Sequence, residues 1–157
     1  MMKLQRHFKD LSIGGITARW YDNNTRKSRL AEMKAYAKEV ANHIQDGYSV
    51  LEVAPGPGYL AIELAKLGNY KIVGLDISKD FVEIAQKNVK EAGVEGIEFR
   101  HGSVADIPFP DNMFDFIICT AAFKNFKEPI KALSDMYRVL TSGGAALITD
   151  MNRNASN

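Results

Sequence analysis

The stretch from Val50 to Ala61 constrains the fold more than any other part of the chain. Val50-Leu51-Glu52-Val53 is a near-continuous apolar run, which marks a strand buried on both faces of a parallel sheet. It breaks into Ala54-Pro55-Gly56-Pro57-Gly58 and resumes at Tyr59 as a helix-forming segment. Gly56 and Gly58 bring backbone N–H groups to a ligand with no Cβ in the way, and the helix turns the positive end of its dipole to the same point. Such a loop is built to hold a small polar molecule.

A second strand, Tyr70-Lys71-Ile72-Val73-Gly74-Leu75-Asp76, ends in a carboxylate 18 residues after Gly58. The second strand of a βαβ unit places an acceptor for ribose hydroxyls there, so turn and carboxylate together read as a nucleoside site. Gly56-Pro57-Gly58-Tyr59-Leu60-Ala61 satisfies the G-x-G-x-x-G/A dinucleotide fingerprint. Glu52 shifts the balance away from a dinucleotide. Four positions before Gly56, its carboxylate suits an amino-acid ammonium group and repels a pyrophosphate.

The bulk properties exclude several classes. A chain of 157 residues, 46% hydrophobic and 25% charged, makes one soluble domain, with neither a membrane span nor a disordered composition. Twenty Lys and Arg against 19 Asp and Glu leave a net charge of +1, so no global charge points to nucleic acid. Met1 to His7 contain no apolar signal core, and the single Cys119, in an apolar strand, closes no disulfide. A reducing cytoplasm is the expected compartment.

Glu52-x-Ala54-x-Gly56-x-Gly58 resembles motif I, (D/E)-x-G-x-G-x-G, of the class I S-adenosylmethionine (SAM)-dependent methyltransferases, with Ala54 in place of the first glycine. Three more segments resemble the family in the right order: Gly102-Ser103-Val104-Ala105-Asp106-Ile107-Pro108-Phe109, Asp111-Asn112-Met113-Phe114-Asp115 and Arg138-Val139-Leu140-Thr141-Ser142-Gly143-Gly144. The resemblance spans residues 29–150. It implies a Rossmann-like, doubly wound α/β fold, with five parallel strands in the order 3-2-1-4-5 and helices on both faces. The family's strands 6 and 7 have no counterpart after Asp150. It also implies SAM as cofactor, S-adenosylhomocysteine as product, and a site formed by Glu52, Ala54, Pro55, Gly56, Gly58, Asp76, Ile77, Ser103, Val104, Thr120 and Ala121. Where the family places an acidic contact to the adenine amino group this chain has Ser103, which leaves that contact to the Val104 backbone or Asp106.

Residues 1–28 are expected to form an arm or lid, and residues 29–157 the cofactor-binding domain. Trp20 and Tyr21 in the arm, with Phe123 and Lys124 beyond strand four, are the candidate lid and acceptor contacts. Leu30, Met33, Ala37, Val40 and Ile44 predict an amphipathic helix over 29–46. Ser78 is placed to cap a helix with inner residues Phe81, Ile84, Ala85 and Val89. Pro129 begins another helix, with Ile130, Leu133, Tyr137 and Leu140 on one face and Gly143-Gly144 as its stop; Ala145 to Thr149 make strand five. Asp115, at the amino end of its strand, reads as structural.

Methyl transfer is an in-line displacement that needs no metal and no enzyme nucleophile, which suits a chain with no metal-ligand spacing and no nucleophile motif. If the acceptor needs a base, His7, His43 and His101 are the imidazoles available, His101 being nearest the ligand edge. The expected partner is a small-molecule acceptor, with an open sheet edge available for pairing two copies. Two other readings stand beside this one: an NAD-dependent oxidoreductase, and a SAM-binding module without catalysis.

Overall fold

The computed structural model describes residues 15–150, except the side chains of Tyr21, Asp22 and Thr25. The elements run α1 (Gly15–Ala41), β1 (Ser49–Val53), α2 (Tyr59–Ala65), β2 (Lys71–Asp76), α3 (Lys79–Ala92), β3 (Ile97–His101), β4 (Phe114–Thr120), a 3-10 turn (Phe123–Asn125), α4 (Pro129–Val139) and β5 (Leu140–Thr149). The five strands pair in parallel in the order β3-β2-β1-β4-β5, the order expected. Both β2 and β4 flank β1, so the chain order reverses between β1 and β4. Open α/β sheets bind ligands at such a switch point, outside the carboxyl ends of the strands.

Strand periodicity divides the core in two. Val50, Ile72, Phe99, Phe116 and Ile118 face one side, where they meet Met33, Ala37 and Val40 of α1, Leu60 and Leu64 of α2 and Ala85 of α3. Leu51, Val53, Leu75, Ile117 and Cys119 face the other, against Ala132, Met136 and Val139 of α4 and Ile107 of the β3–β4 loop. Helices therefore cover both faces, three on one and one on the other. By the same alternation Glu52 and Thr120 fall on the α1 side of β1 and β4.

Three elements differ from expectation. First, α1 starts at Gly15 rather than residue 29 and ends at Ala41 rather than 46, so the segment taken as an arm is helical from Gly15. Its first fourteen residues carry no apolar period, and of their described side chains only Ala18 is buried. Second, α4 turns its opposite stripe inward: Ala132, Met136 and Val139 are buried, whereas Ile130 and Tyr137 are 78% and 82% exposed. Third, β5 begins at Leu140 instead of Ala145. Gly143 and Gly144 lie inside the strand, at a register shift opposite Phe114 and Phe116, where Gly143 has φ 81°. The α3 caps are as expected, with Ser78 Oγ accepting from the Phe81 N–H at 3.3 Å and Gly93 left-handed at the other end.

Among the described residues no helix is long and apolar enough to cross a membrane. Nor, among those residues, is any group of three or more His, Cys, Asp or Glu placed to hold a metal ion.

Candidate functional site

The crevice opens at the carboxyl ends of the central strands. Ala54 and Ala121, directly after β1 and β4, are left-handed, with φ of 55° and 57°. That conformation costs an L-residue about 1–2 kcal/mol. Both backbones stay tied to the sheet, the Ala54 N–H donating to Leu75 O at 2.8 Å and the Ala121 N–H to Thr149 O at 2.7 Å. The chain thus leaves β1 and β4 through left-handed residues tied to the outer neighbours β2 and β5, on either side of the switch point.

The glycines of the turn divide the work. A Cβ on Gly56 would meet nothing within 4 Å, whereas one on Gly58 would stand 2.7 Å from Phe99 Cζ and 3.1 Å from Ala85 Cβ. Gly74 is likewise closed by Phe99. Gly58 and Gly74 therefore make room for the Phe99 ring between α2, α3 and the sheet. Of the two turn glycines, Gly56 keeps its Cβ position open, and Gly58 serves helix–strand packing.

Two buried carboxylates frame the turn. Asp76, 6% exposed, accepts from the Gly56 N–H at 3.0 Å with Oδ2 and from the Ser78 N–H at 2.8 Å with Oδ1. Burial raises its pKa against the pull of those two donors and of His101. Glu52, 4% exposed, accepts from the Ala61 N–H, which caps the third residue of α2, a helix that Gly58 leaves without a side-chain cap. Among the described residues its other oxygen, Oε2, has no hydrogen-bond partner, and neither has Thr120 Oγ1. Burial, reinforced by the charge of Asp76 though opposed by the Ala61 N–H, pushes the Glu52 pKa up to about 8. Glu52 and Thr120 line one small cleft with Pro55, Tyr59, Met33 and Arg29.

On the β2–β3 side, Ala54 and Ile77 join Ser103, Val104 and Ala105 in a cavity of about 70 Å³ closed by Phe126, Lys127 and Glu128. Ser103 Oγ accepts from the Ala105 N–H at 3.2 Å, a local turn that fixes the loop. Asp106 is exposed and does not line this cavity. On the β4–β5 side, Thr120 and Ala121 join Tyr36, Thr149 and Asp150 around a larger, open cavity of about 340 Å³. The Tyr36 hydroxyl lies 3.0 Å from Thr149 Oγ1.

The other expected residues fall outside these walls. Trp20 is 63% exposed on α1 and lines none of the three, and the Tyr21 side chain and His7 lie outside the described residues. Phe123 packs edge-on against Phe126 at 5.4 Å. Lys124 is exposed, its backbone N–H donating to Asp150 Oδ2 at 2.9 Å. His101 Nε2 is 3.1 Å from Ile77 O. Asp115 Oδ2 accepts from the Ser49 N–H at 2.8 Å, far from the crevice, and is structural as expected. Cys119 is buried, which pushes its pKa up to about 12 and keeps the thiol inert.

Arg29, Tyr36 and Phe126 were not singled out in the sequence. Nor was the role of Arg138, whose guanidinium donates to Ile107 O and Phe109 O and pairs with Asp111 and Asp135 at 2.8 and 2.7 Å. That network fastens the loop bearing Ser103 and Val104 to α4.

A crevice at a β1/β4 switch point, with a Gly turn, a strand-end Asp and a half-satisfied Glu, defines a Rossmann-like domain of the methyltransferase type. The comparisons agree: the methyltransferase domain profile matches residues 51–148, and the chain belongs to that family. The demethylmenaquinone methyltransferase of Listeria monocytogenes is 33% identical over 112 residues, covering 70% of this chain and 47% of that protein. A crystal structure from Methanococcus maripaludis, assigned as a SAM-dependent methyltransferase, superposes with a TM-score of 0.80 at 30% identity, over 85% of this chain and 62% of that one. The YcgJ protein of Bacillus subtilis superposes with a TM-score of 0.67 at 31% identity, over 77% and 49%. The chain spans about half the length of the curated relatives it matches.

Proposed function

We propose that this chain binds S-adenosyl-L-methionine and transfers its methyl group to a small-molecule acceptor. One observation carries the reading: Glu52 is buried with an unpartnered Oε2 beside the Gly56 turn. An orphaned buried acceptor costs about 1–3 kcal/mol, a cost that an ammonium donor removes. The residues present fit the cofactor, because Gly56 leaves its Cβ position open and Thr120 offers a second unpaired oxygen to the same cleft.

When bound, the cofactor supplies a methyl group activated on a sulfonium sulfur. Glu52 and Thr120 hold its amino-acid end, Asp76 accepts from the ribose, and Ile77, Ser103 and Val104 enclose the adenine. Thr120 lines both this pocket and the cavity beside Tyr36, which receives the acceptor. Alignment of two reacting groups in a water-poor cleft is worth on the order of 10 kcal/mol of barrier, without an enzyme nucleophile.

Calorimetry with S-adenosylhomocysteine and with NAD is the first test. Binding of the former alone is expected; binding of NAD alone overturns the proposal in favour of hydride transfer. Transfer of labelled methyl to a panel of acceptors is the second test. The name of the Listeria relative puts demethylmenaquinone first in that panel, and a chain that binds the cofactor but methylates no acceptor is a binding module.

A further inference from the structure

Helix α1 carries a second line of residues, on the side away from the core. Ile16, Trp20, Lys27, Ala31, Lys34 and Lys38 follow one another at spacings of four, seven, four, three and four residues, so they share one face of the helix over roughly 33 Å. All six are exposed, Ile16 at 86% and Trp20 at 63%. No acidic residue falls on this face. Glu32 and Glu39 line the cavity beside Tyr36, and Asp22 lies about 200° round the helical repeat from Trp20. Glu83 and Glu91 of α3 approach α1 on the flank of Arg19 and Arg26, where Arg26 pairs with Glu91 at 3.6 Å. Lys27, Lys34 and Lys38 enter no ion pair among the described residues, whereas Lys66, Lys87 and Lys131 each pair with a glutamate three or four residues away.

The charge of the whole chain is divided in the same sense. Residues 1–29 hold seven Lys and Arg against two Asp and Glu, and residues 30–157 hold thirteen against seventeen, so the net +1 splits into +5 and −4. Lys34 and Lys38 stand one turn apart, a like-charge spacing that weakens a helix and that an anionic partner relieves. We propose that this face of α1 docks on the surface of a bilayer carrying anionic lipid headgroups. The lysine ammonium groups reach the headgroups, the indole of Trp20 lies at the boundary with the acyl chains, and Ile16 enters that boundary. The acidic remainder of the chain is repelled by the same surface, which sets the orientation. Nucleic acid is the competing polyanion, but the outer side of a single helix offers it no groove, and Ile16 gives its bases nothing to stack on. The docking requires no bound cofactor.

Trp20 is the only tryptophan of the chain, so its emission reports on this face alone. The test titrates the full 157-residue protein with vesicles of phosphatidylcholine, alone or with about a third phosphatidylserine, and reads Trp20 fluorescence and co-sedimentation. A blue shift and co-sedimentation are expected with the mixed vesicles only, and high salt is expected to reverse both. Lys27→Gln, Lys34→Gln and Lys38→Gln are each expected to weaken binding about fivefold, and the triple variant roughly 30- to 100-fold, with thermal unfolding unchanged. Lys131→Gln, on α4 across the sheet from α1, is expected to stay within about twofold of wild type. Equal binding to both kinds of vesicle, or a triple variant that binds like wild type, overturns the proposal. So does a Trp20 shift with single-stranded or duplex oligonucleotides and none with vesicles, which assigns the face to nucleic acid. No response to either overturns it as well.

Discussion

The two carboxylates of the crevice sit on adjacent strands and are equally hidden from solvent, yet the fold treats them differently. Asp76, at the end of β2, has each oxygen occupied by a backbone N–H, from Gly56 and Ser78. Glu52, in β1, spends one oxygen on the Ala61 N–H and leaves the other bare, as Thr120 leaves its hydroxyl on β4. The β2 side is thus a finished frame that fixes the turn, whereas the β1–β4 seam holds polar atoms with no partner among the described residues. Buried polar groups are satisfied in the great majority of proteins, and these two exceptions facing one cleft are what the proposed cofactor site rests on.

Glu52→Gln sharpens that contrast most. The folded pKa of about 8 lies above the ordinary 4.5, so the folded state holds this proton more tightly than the unfolded chain does. The stabilisation is complete below about pH 4.5 and is lost as pH rises towards 8, at about 1.4 kcal/mol per unit, up to a ceiling on the order of 5 kcal/mol. Glutamine has no proton to lose. The variant is expected to overtake wild type in denaturant titrations as pH is raised from 5 to 8, while binding S-adenosylhomocysteine at least tenfold more weakly. A stability difference that does not grow with pH breaks the contrast.

Gly58→Ala probes the frame itself. Its Cβ would meet Phe99 and Ala85, and the residue holds φ 81°, so a loss of roughly 2–4 kcal/mol is expected in chemical denaturation. Gly56→Ala, with an open Cβ position, is expected to cost only about 1 kcal/mol and to lose ligand affinity instead. Equal stability losses in the two variants would erase the division of labour between the glycines.

Much of this arrangement was legible in the sequence, and the exceptions share a cause. Apolar runs and Gly/Pro breaks specify strands and turns locally, so β1, β2 and the turn between β1 and α2 could be anticipated, and the strand order followed from the resemblance to the methyltransferase family. Residues 15–28 carry no apolar stripe, and nothing local shows that they continue α1. Helix α4 offers two apolar stripes; the bulkier one, with Ile130 and Tyr137, looked like the inner face, but the sheet takes the slimmer one, whose Ala132 is fully buried. Leu140 pairs with Phe114 across a register shift that lets β5 start before its glycines. Arg138 acts through Ile107, Phe109 and Asp111, and Arg29 shares a cleft with residues of β1 and β4, neighbours distant in the chain that no short motif reveals.

Asp76→Ala tests the finished side. Removing its carboxylate strands the Gly56 and Ser78 N–H groups, at a cost of about 1–3 kcal/mol, and a more than tenfold loss of S-adenosylhomocysteine affinity is expected if the ribose hydrogen-bonds there. A variant that loses stability but keeps affinity would make Asp76 purely a brace for the turn.

The smallest expected effect comes from Thr120→Val, which exchanges a hydroxyl for a methyl of nearly the same size. Val is usually a poor replacement for a buried Thr because it breaks a hydrogen bond, but Thr120 Oγ1 has none to break. The ligand-free variant is therefore expected to match wild type or exceed it by about 1 kcal/mol in thermal or denaturant unfolding. Affinity for S-adenosylhomocysteine should fall severalfold, while affinity for 5′-methylthioadenosine, which lacks the ammonium group, should hold. Loss of stability in the absence of ligand would show that the hydroxyl already has a partner in solution, and the contrast between β2 and the β1–β4 seam would then rest on Glu52 alone.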